Sequence, residues 1–555
     1  MTSRPERPDP VPPDQNRSRL PGGAQVSRFV RLPRRKVLTA TTAAVATAAI
    51  GGGLVAACSG GTDPADKPVS WPKRRDEPLD FPFLLGVASG DPWSTSVLLW
   101  TRLTTDIHAS KVSQNPVPVD WQVAHDDRFT RIVAHGTTEA LPEEAHSVHQ
   151  EVFGLEPDRW YYYRFRAGGH ISPVGRTRTA PPLGSTRPAS FVSASCQSMP
   201  SGFYTAHRRI VEADVDFVAF LGDWIYEVAD STYPNRVREH GDFEPVSVDE
   251  YRTRHALYRS DEDIMLSSAA LPFVALFDDH EVANDWGGDQ DPDDPAAGEA
   301  FVQRRTAAFQ AFYEHMPLRP SAKPEGGSIA INRTLHWGST LDLHLVDTRQ
   351  HRDEQACGVW RSRDCDQRDA PDRQMIGEEA TENLYARLGG STTYWQSLAQ
   401  QVAFTMFDYD KDGLGPEYTM DQWDGYTAQR SDILRFVADR DIRNLVVLSG
   451  DAHTHIAADL TMDMADPDDP VLSSDLVCTS ITSGGDGNSG GYTADADNPH
   501  LRFNNWQRGF IRHDVDIDTW HCDFKVVEYV SEPGAQLSSA ARFVIENGRP
   551  GLQDE

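Results

Sequence analysis

Phe217-Val218-Ala219-Phe220-Leu221-Gly222-Asp223-Trp224-Ile225-Tyr226-Glu227 opens with five apolar residues and stops at Gly-Asp. A short unbroken apolar run suits a strand covered on both faces, as in a parallel α/β sheet. In such sheets ligands bind just beyond the carboxyl ends of the strands. Asp223 stands at that position, and Gly222 lets backbone approach closely. Tyr226 follows three residues later, so a carboxylate and a phenol can converge on one metal. Two readings are open at this point: a metal ligand, or a turn whose Asp caps the next helix.

Three more stretches share this grammar. Phe191-Val192-Ser193-Ala194-Ser195 leads into Cys196. Phe273-Val274-Ala275-Leu276-Phe277 leads into Asp278-Asp279-His280-Glu281, with Asn284 and Asp285 close behind. Leu445-Val446-Val447-Leu448-Ser449 leads into Gly450-Asp451-Ala452-His453-Thr454-His455. Four strand ends with metal-ligand chemistry argue for one rim of one sheet. Segments of helical period between them, such as 302–313 and 432–438, complete an α/β pattern.

The mixture of Cys, His, Asp, Asn and Tyr is wrong for a structural zinc site, which takes four Cys or His. The mixture suits a cluster that combines harder oxygen ligands with a softer one, and thiolate with phenolate favours a trivalent or borderline metal such as iron. Asp223 can bridge two metals through its two oxygens. Paired metals hold phosphoryl oxygens and ionise water for in-line attack. His280, next to Asp279, is a candidate acid for the leaving group, with a hydrogen-bonding role as the alternative. Asp278 reads as a solvated or strand-end carboxylate.

The chain has 555 residues and a formal net charge of −30, so more than one domain is expected and nucleic-acid binding is not. Arg34-Arg35-Lys36 precedes an Ala/Thr/Gly run that ends Leu54-Val55-Ala56-Ala57-Cys58. This is the pattern of a twin-arginine lipoprotein signal over 1–58, cleaved before Cys58. The expected location is outside the cytoplasm, either lipid-anchored at Cys58 or secreted, with contact to the export machinery and to the membrane through lipid alone. Residues 59–80 read as a tether. Residues 81–183 show short alternating strands, with Trp160-Tyr161-Tyr162-Tyr163 resembling the tyrosine-corner strand of fibronectin-like β-sandwiches. In an oxidising compartment Cys357 and Cys365 are expected to pair, and Cys478 with Cys522 can form a second bridge. Cys196 is left over.

The segments Ser195-Cys196-Gln197, Gly222-Asp223-Trp224-Ile225-Tyr226-Glu227, Asp278-Asp279-His280-Glu281 with Asn284, Trp423-Asp424-Gly425-Tyr426 and Ser449-Gly450-Asp451-Ala452-His453 together resemble the PhoD-type alkaline phosphatases, a branch of the metallophosphoesterases. The resemblance implies an αββα metallophosphatase sandwich over 189–552, preceded by the fibronectin-like β-sandwich. It implies Fe(III) and Ca(II) as cofactors and hydrolysis of phosphate esters outside the cell. Cys196, Asp223, Tyr226 and His453 match iron-ligand positions. Asp223, Asp279, Asn284 and Asp451 match positions around calcium. His280, with Asp223 and Asp279, matches the catalytic centre. Cys196 takes the place of an Asp in the related purple acid phosphatases, which explains its unpaired thiol.

The family strand resembled by Leu345–Arg352 usually carries Tyr where His351 stands. The insert 356–370 is an addition expected to reshape the rim. His455 reads as a rim or supporting residue, and the role of Arg508 stays open between phosphate contact and structure. The glycine-rich 483–491 loop is expected to border the site, and the EF-hand-like Asp408–Gly413 loop reads as a solvated acidic loop. Substrates are expected to be phosphate monoesters and diesters, cell-wall or lipid phosphodiesters among them. Two rival functions stand beside this one: a phosphodiesterase with phospholipase D-like action, and a surface adhesin with structural metals.

Overall fold

The structure, a computed structural model, describes residues 71–72, 78–108, 112–292, 294–410, 413–490 and 497–555. The export signal, Cys58 and most of the tether lie outside the described residues. Among the described residues no helix is long and apolar enough to cross a membrane.

Two large sheets carry the molecule. In the first, Ala189–Ala194, Phe217–Phe220, Pro272–Ala275 and Val87–Gly90 run parallel at the centre. Nearly every residue of these strands is buried, as their unbroken apolar runs require. Antiparallel strands extend this sheet to ten: Gly509–Val515, Thr519–Val527, Leu537–Glu546 and Arg549–Asp554 on one side, Ser96–Arg102 and Ser147–Phe153 on the other. The second sheet has seven strands, with Leu341–Leu345, Trp395–Ala399, Leu445–Ser449 and Ser473–Val477 as its parallel core. The sheets meet through large rings: Phe217 lies 5.4 Å from Trp337, Trp395 lies 5.7 Å from Trp520, and His455 lies 5.2 Å from Phe524. Aromatic pairs at these spacings add to the burial that holds two sheets face to face.

Helices cover the outer faces. Helix Val248–Arg259 starts with a capping box between Ser247 and Glu250, and helix Glu262–Ala270 is capped by Asp261. On the second sheet, helices Glu378–Gly390 and Thr427–Asp439 bury Leu384, Leu388, Ile433, Leu434 and Val437 against Leu398, Leu445 and Val447. The result is an αββα sandwich, as the family resemblance implies.

The N-terminal strands Val117–Ala124, Ile132–Ala140, Trp160–Ala167, His170–Ile171 and Gly175–Arg178 form a separate five-stranded sheet. Strand Trp160–Ala167 alternates in burial, with Tyr161, Tyr163, Phe165 and Ala167 inward. Tyr161 makes the expected corner: its hydroxyl accepts from the Glu156 N–H at 2.8 Å. The partner face of this sheet is not a sheet of its own. Val87, Val97, Leu99, Val148 and Val152, which belong to the end of the ten-stranded sheet, pack against Val119, Val123, Tyr163 and Phe165. Ser89 pairs directly with Pro272. The sandwich and the α/β layer thus share one continuous sheet. Within the stretch read as a tether, Trp71 lies against Arg164 and Arg166, and Leu79 accepts a hydrogen bond from His170.

Cys357 and Cys365 are bonded, as expected. The second bridge is not formed. Cys478 and Cys522 are both free and buried. Cys478 follows a strand of the seven-stranded sheet and approaches Ser195, whereas Cys522 lies in the ten-stranded sheet beside the Phe543 carbonyl.

Burial holds three fully buried imidazoles neutral: His207, His255 and His513 are each lowered to about 3. Unfolded histidine titrates near 6.5. The unfolded chain therefore binds more protons below that pH, and the stability these rings contribute above it is lost as pH falls. Neither ring nitrogen of His255 has a hydrogen-bond partner. Replacing His255 with Phe is expected to make the fall of stability between pH 6 and 4 shallower by about 1.4 kcal/mol per pH unit. Denaturant unfolding of both proteins across that range measures this, and equal slopes would count against it.

Candidate active site

The site forms where the carboxyl ends of strands from both sheets meet. Ala189–Ala194 delivers Cys196, Phe217–Phe220 delivers Asp223, Pro272–Ala275 delivers Asp278 and Asp279, and Leu445–Ser449 delivers Asp451 and His453. The chain turns sharply at three of these ends. Cys196, Asp223, Asp451 and His453 all have positive φ, between 53° and 60°. Such backbone is costly for non-glycine residues and persists where surrounding contacts enforce it. Gly222 has φ 118°, and a Cβ there would lie 2.4 Å from the Asp278 Cβ. No other residue lets these two loops approach so closely.

Three groups of ligand atoms lie within 4.8 Å of one another: Cys196 with Asp223 and His453, Asp223 with Asp279 and His280, and Asp223 with Asp278, Asp279 and Asp451. Asp223 belongs to all three. The Tyr226 hydroxyl donates to Asp223 Oδ2 at 2.8 Å and lies 3.0 Å from His453 Nε2. The Tyr226 ring stacks on His280 with centroids 3.9 Å apart. The structure therefore brings together Cys196, Asp223, Tyr226, Asp279, His280, Asp451 and His453. Asn284 stands beside them, its backbone N–H donating to Glu227 Oε1 at 2.7 Å.

The electrostatics are those of crowded, dry carboxylates. Burial, reinforced by Asp279, holds the Asp223 carboxyl well above the usual range. Burial with Asp279 lifts Asp451 to about 6, and burial with Asp421 and Asp279 lifts Asp285 to about 8. Burial and the neighbouring Asp223 push up both the Cys196 thiol and the Tyr226 phenol. His453 falls to about 3 through burial and the Arg508 charge. His280 moves the other way: burial opposes its charge, but Glu227, Asp279 and Asp223 together raise it well above the ordinary imidazole value. Like charges gathered in a low dielectric resist ionisation unless cations join them. Thiol, phenol and four Asp carboxyls together make a donor set that suits such cations.

Several residues that matter here carried no role in the sequence reading. Glu227 Oε2 lies 2.7 Å from His280 Nδ1. Glu281 Oε2 accepts from the N–H groups of Asp223 and Asp278 at 3.1 and 2.7 Å, and its Oε1 accepts from Trp224 at 2.5 Å. Ser483, from the glycine-rich loop, donates to the Tyr226 hydroxyl at 2.6 Å, so that loop does border the site. Glu227 and Glu281 were visible as acids one short step beyond the strand ends. Ser483 had no local signal.

Two expectations change, and a third residue left open gains contacts. Asp278 is neither solvated nor idle: it is 1% exposed and accepts from Arg349 Nε at 2.6 Å. His455 is no rim residue. It is fully buried, with Nδ1 accepting from the Thr479 N–H at 3.2 Å and Nε2 3.2 Å from the Lys525 carbonyl. Arg508, whose role the sequence left open, donates to the carbonyls of His453 and Gly485 and to Ser480 Oγ, and so braces the turn bearing His453.

The PhoD-like phosphatase model matches residues 191–524, and the model for the N-terminal domain of PhoD-like phosphatases matches residues 70–181. The chain is 42% identical over 483 residues to alkaline phosphatase D of Bacillus subtilis strain 168, covering 85% of this chain and 82% of that protein. A solved structure of PhoD superposes with a TM-score of 0.83 at 41% identity, covering 87% of this chain and 93% of that one. The purple acid phosphatase PPD1 of yellow lupin shares the fold alone, with a TM-score of 0.52 at 13% identity over 85% of this chain and 74% of that one. Matched by family models on both of its regions and by PhoD over most of its length, the chain belongs to the PhoD-like phosphatase family and is a phosphoric ester hydrolase.

Proposed function

We propose that this enzyme hydrolyses phosphate monoesters, and diesters as a second class, outside the cytoplasm at a cluster of Fe(III) and Ca(II). The observation that carries the reading is the position of Asp223, shared by all three groups of ligand atoms. Cys196, Tyr226, His453 and Asp223 are the donors suited to iron, and Asp223, Asp279, Asn284 and Asp451 those suited to calcium. Such ions, when bound, offset charge on phosphoryl oxygens and acidify water. The twin-arginine pair and Cys58 support export and lipid anchoring.

The chain's own residues supply the rest. Glu227 holds His280 through Nδ1 and favours the imidazolium, leaving Nε2 to donate to the leaving oxygen or to the bound phosphate. Tyr226, stacked on the imidazole, fixes the plane of that ring. Glu281 ties the loop after Phe217–Phe220 to the loop after Pro272–Ala275 through three backbone N–H groups, and so sets the spacing between Asp223 and Asp279.

The purified protein is expected to be purple or violet, because Fe(III)–phenolate absorbs in the visible. Cys196→Ala should lose the colour, the iron and most turnover. A Cys196→Ala protein with normal iron content and rate would sink the ligand assignment. Comparing turnover of a p-nitrophenyl monoester, a bis-ester and phosphatidylcholine separates the phosphatase from a phospholipase D-like diesterase; the monoester is expected to be fastest. Glu281→Ala leaves three buried N–H groups without an acceptor and should lower stability by about 3 kcal/mol, with reduced metal content. A variant with wild-type unfolding midpoint and wild-type metal content would show that Glu281 does not set this spacing.

A further inference from the structure

Arg349 contributes no ligand atom, yet its guanidinium is fully buried beside the cluster. Nε donates to Asp278 Oδ1 at 2.6 Å and Nη1 to Asp421 Oδ1 at 2.9 Å. The remaining nitrogen, Nη2, has no hydrogen-bond partner in the structure. It lies 3.8 Å from Asp279 Oδ1 and 3.7 Å from Asp451 Oδ1. One planar cation therefore faces four carboxylates, two of which are candidate calcium donors from different sheets.

We propose that Arg349 is the positioning residue of this cluster: a fixed internal cation that holds Asp279 and Asp451 in place for calcium. The proposal rests on the reading of those two residues as calcium donors. Its physical basis is rigidity. The Asp347 carboxylate accepts from the N–H groups of Arg349 and Gln350 at 2.8 and 3.1 Å, and the Gly288 N–H donates to the Arg349 carbonyl at 2.9 Å. Asp421 is clamped in turn: Arg352 donates to its side chain and to its carbonyl, both at 2.6 Å, and Gln355 donates to its side chain at 3.1 Å. With two arms of the fork occupied, the third nitrogen cannot swing away from Asp279 and Asp451. Opposite charges at this separation attract strongly in a site shielded from water. A lysine carries the charge but not the fork, so it cannot engage Asp278 and Asp421 and still present a fixed nitrogen to the other two.

Calcium titration calorimetry on the full chain after chelation tests this, with folding of each variant checked by far-UV circular dichroism. Arg349→Ala is expected to bind calcium about 10- to 100-fold more weakly, as when partners behind metal ligands are removed elsewhere. Arg349→Lys should lose affinity to a smaller extent. Guanidinium chloride at millimolar concentration should restore affinity in Arg349→Ala, while sodium chloride at equal ionic strength should not. Wild-type affinity in either folded variant, or equal rescue by the two salts, overturns the proposal. Should Arg349→Ala fail to fold, Arg349→Lys decides: weaker binding supports the role and unchanged binding removes it. A wild-type protein that binds calcium but hydrolyses no phosphate ester would refute the functional reading and leave this inference to the titration. A wild-type protein that binds no calcium would refute both.

Discussion

Everything at this site follows from the cost of keeping carboxylates together away from water. Asp223, Asp278, Asp279 and Asp451 present oxygens within 4.8 Å of one another. Uncompensated, such a group disfavours its own ionisation and loosens the loops that carry it. The fold meets the problem from two sides. From behind, Arg349 and Arg352 supply fixed positive charge, and backbone N–H groups converge on Glu281. In front, thiol, phenol and imidazole complete a pocket of donors for cations. The positive φ angles of four residues at three strand ends are the conformational expense of bringing these groups to one point.

The strand ends were legible because their signal is local. An apolar run followed by Gly-Asp, Ser-Cys or Gly-Asp-Ala-His states both that a buried strand ends and that a ligand type follows, and the structure gathers all of these residues. Arg349 was not legible, since its meaning lies in Asp278, 71 positions away in the chain, and in the burial of both. The same holds for Ser483, 257 positions from Tyr226. His455 was read as a rim or supporting residue; its ring lies in the space between the sheets, 5.2 Å from Phe524, a placement set by a strand 69 positions later in the chain.

The fold class was readable from periodicity, but sheet membership was not. The runs at Ser96–Arg102 and Ser147–Phe153 fit a sandwich equally well whether its second layer ends there or continues, because an apolar run reports burial and not the pairing partner. Backbone pairing of Ser89 with Pro272 makes the layer continue. The free cysteines tell the same story. Cys478 and Cys522 belong to different sheets, and their thiols are absorbed as small buried side chains.

The continuous sheet has a consequence for the order of assembly during synthesis. Its ligand-bearing strands are enclosed by strands far before and far after them in the chain: Val87–Gly90 pairs with Pro272–Ala275, and Gly509–Val515 pairs with Ala189–Ala194. The strand carrying Cys196 therefore lacks one neighbour until Asp514, 324 positions after Ser190, has left the ribosome. Pairings of such long sequence separation form slowly and late. A nascent chain that has not yet reached Gly509 leaves the edge of Ala189–Ala194 open for pairing.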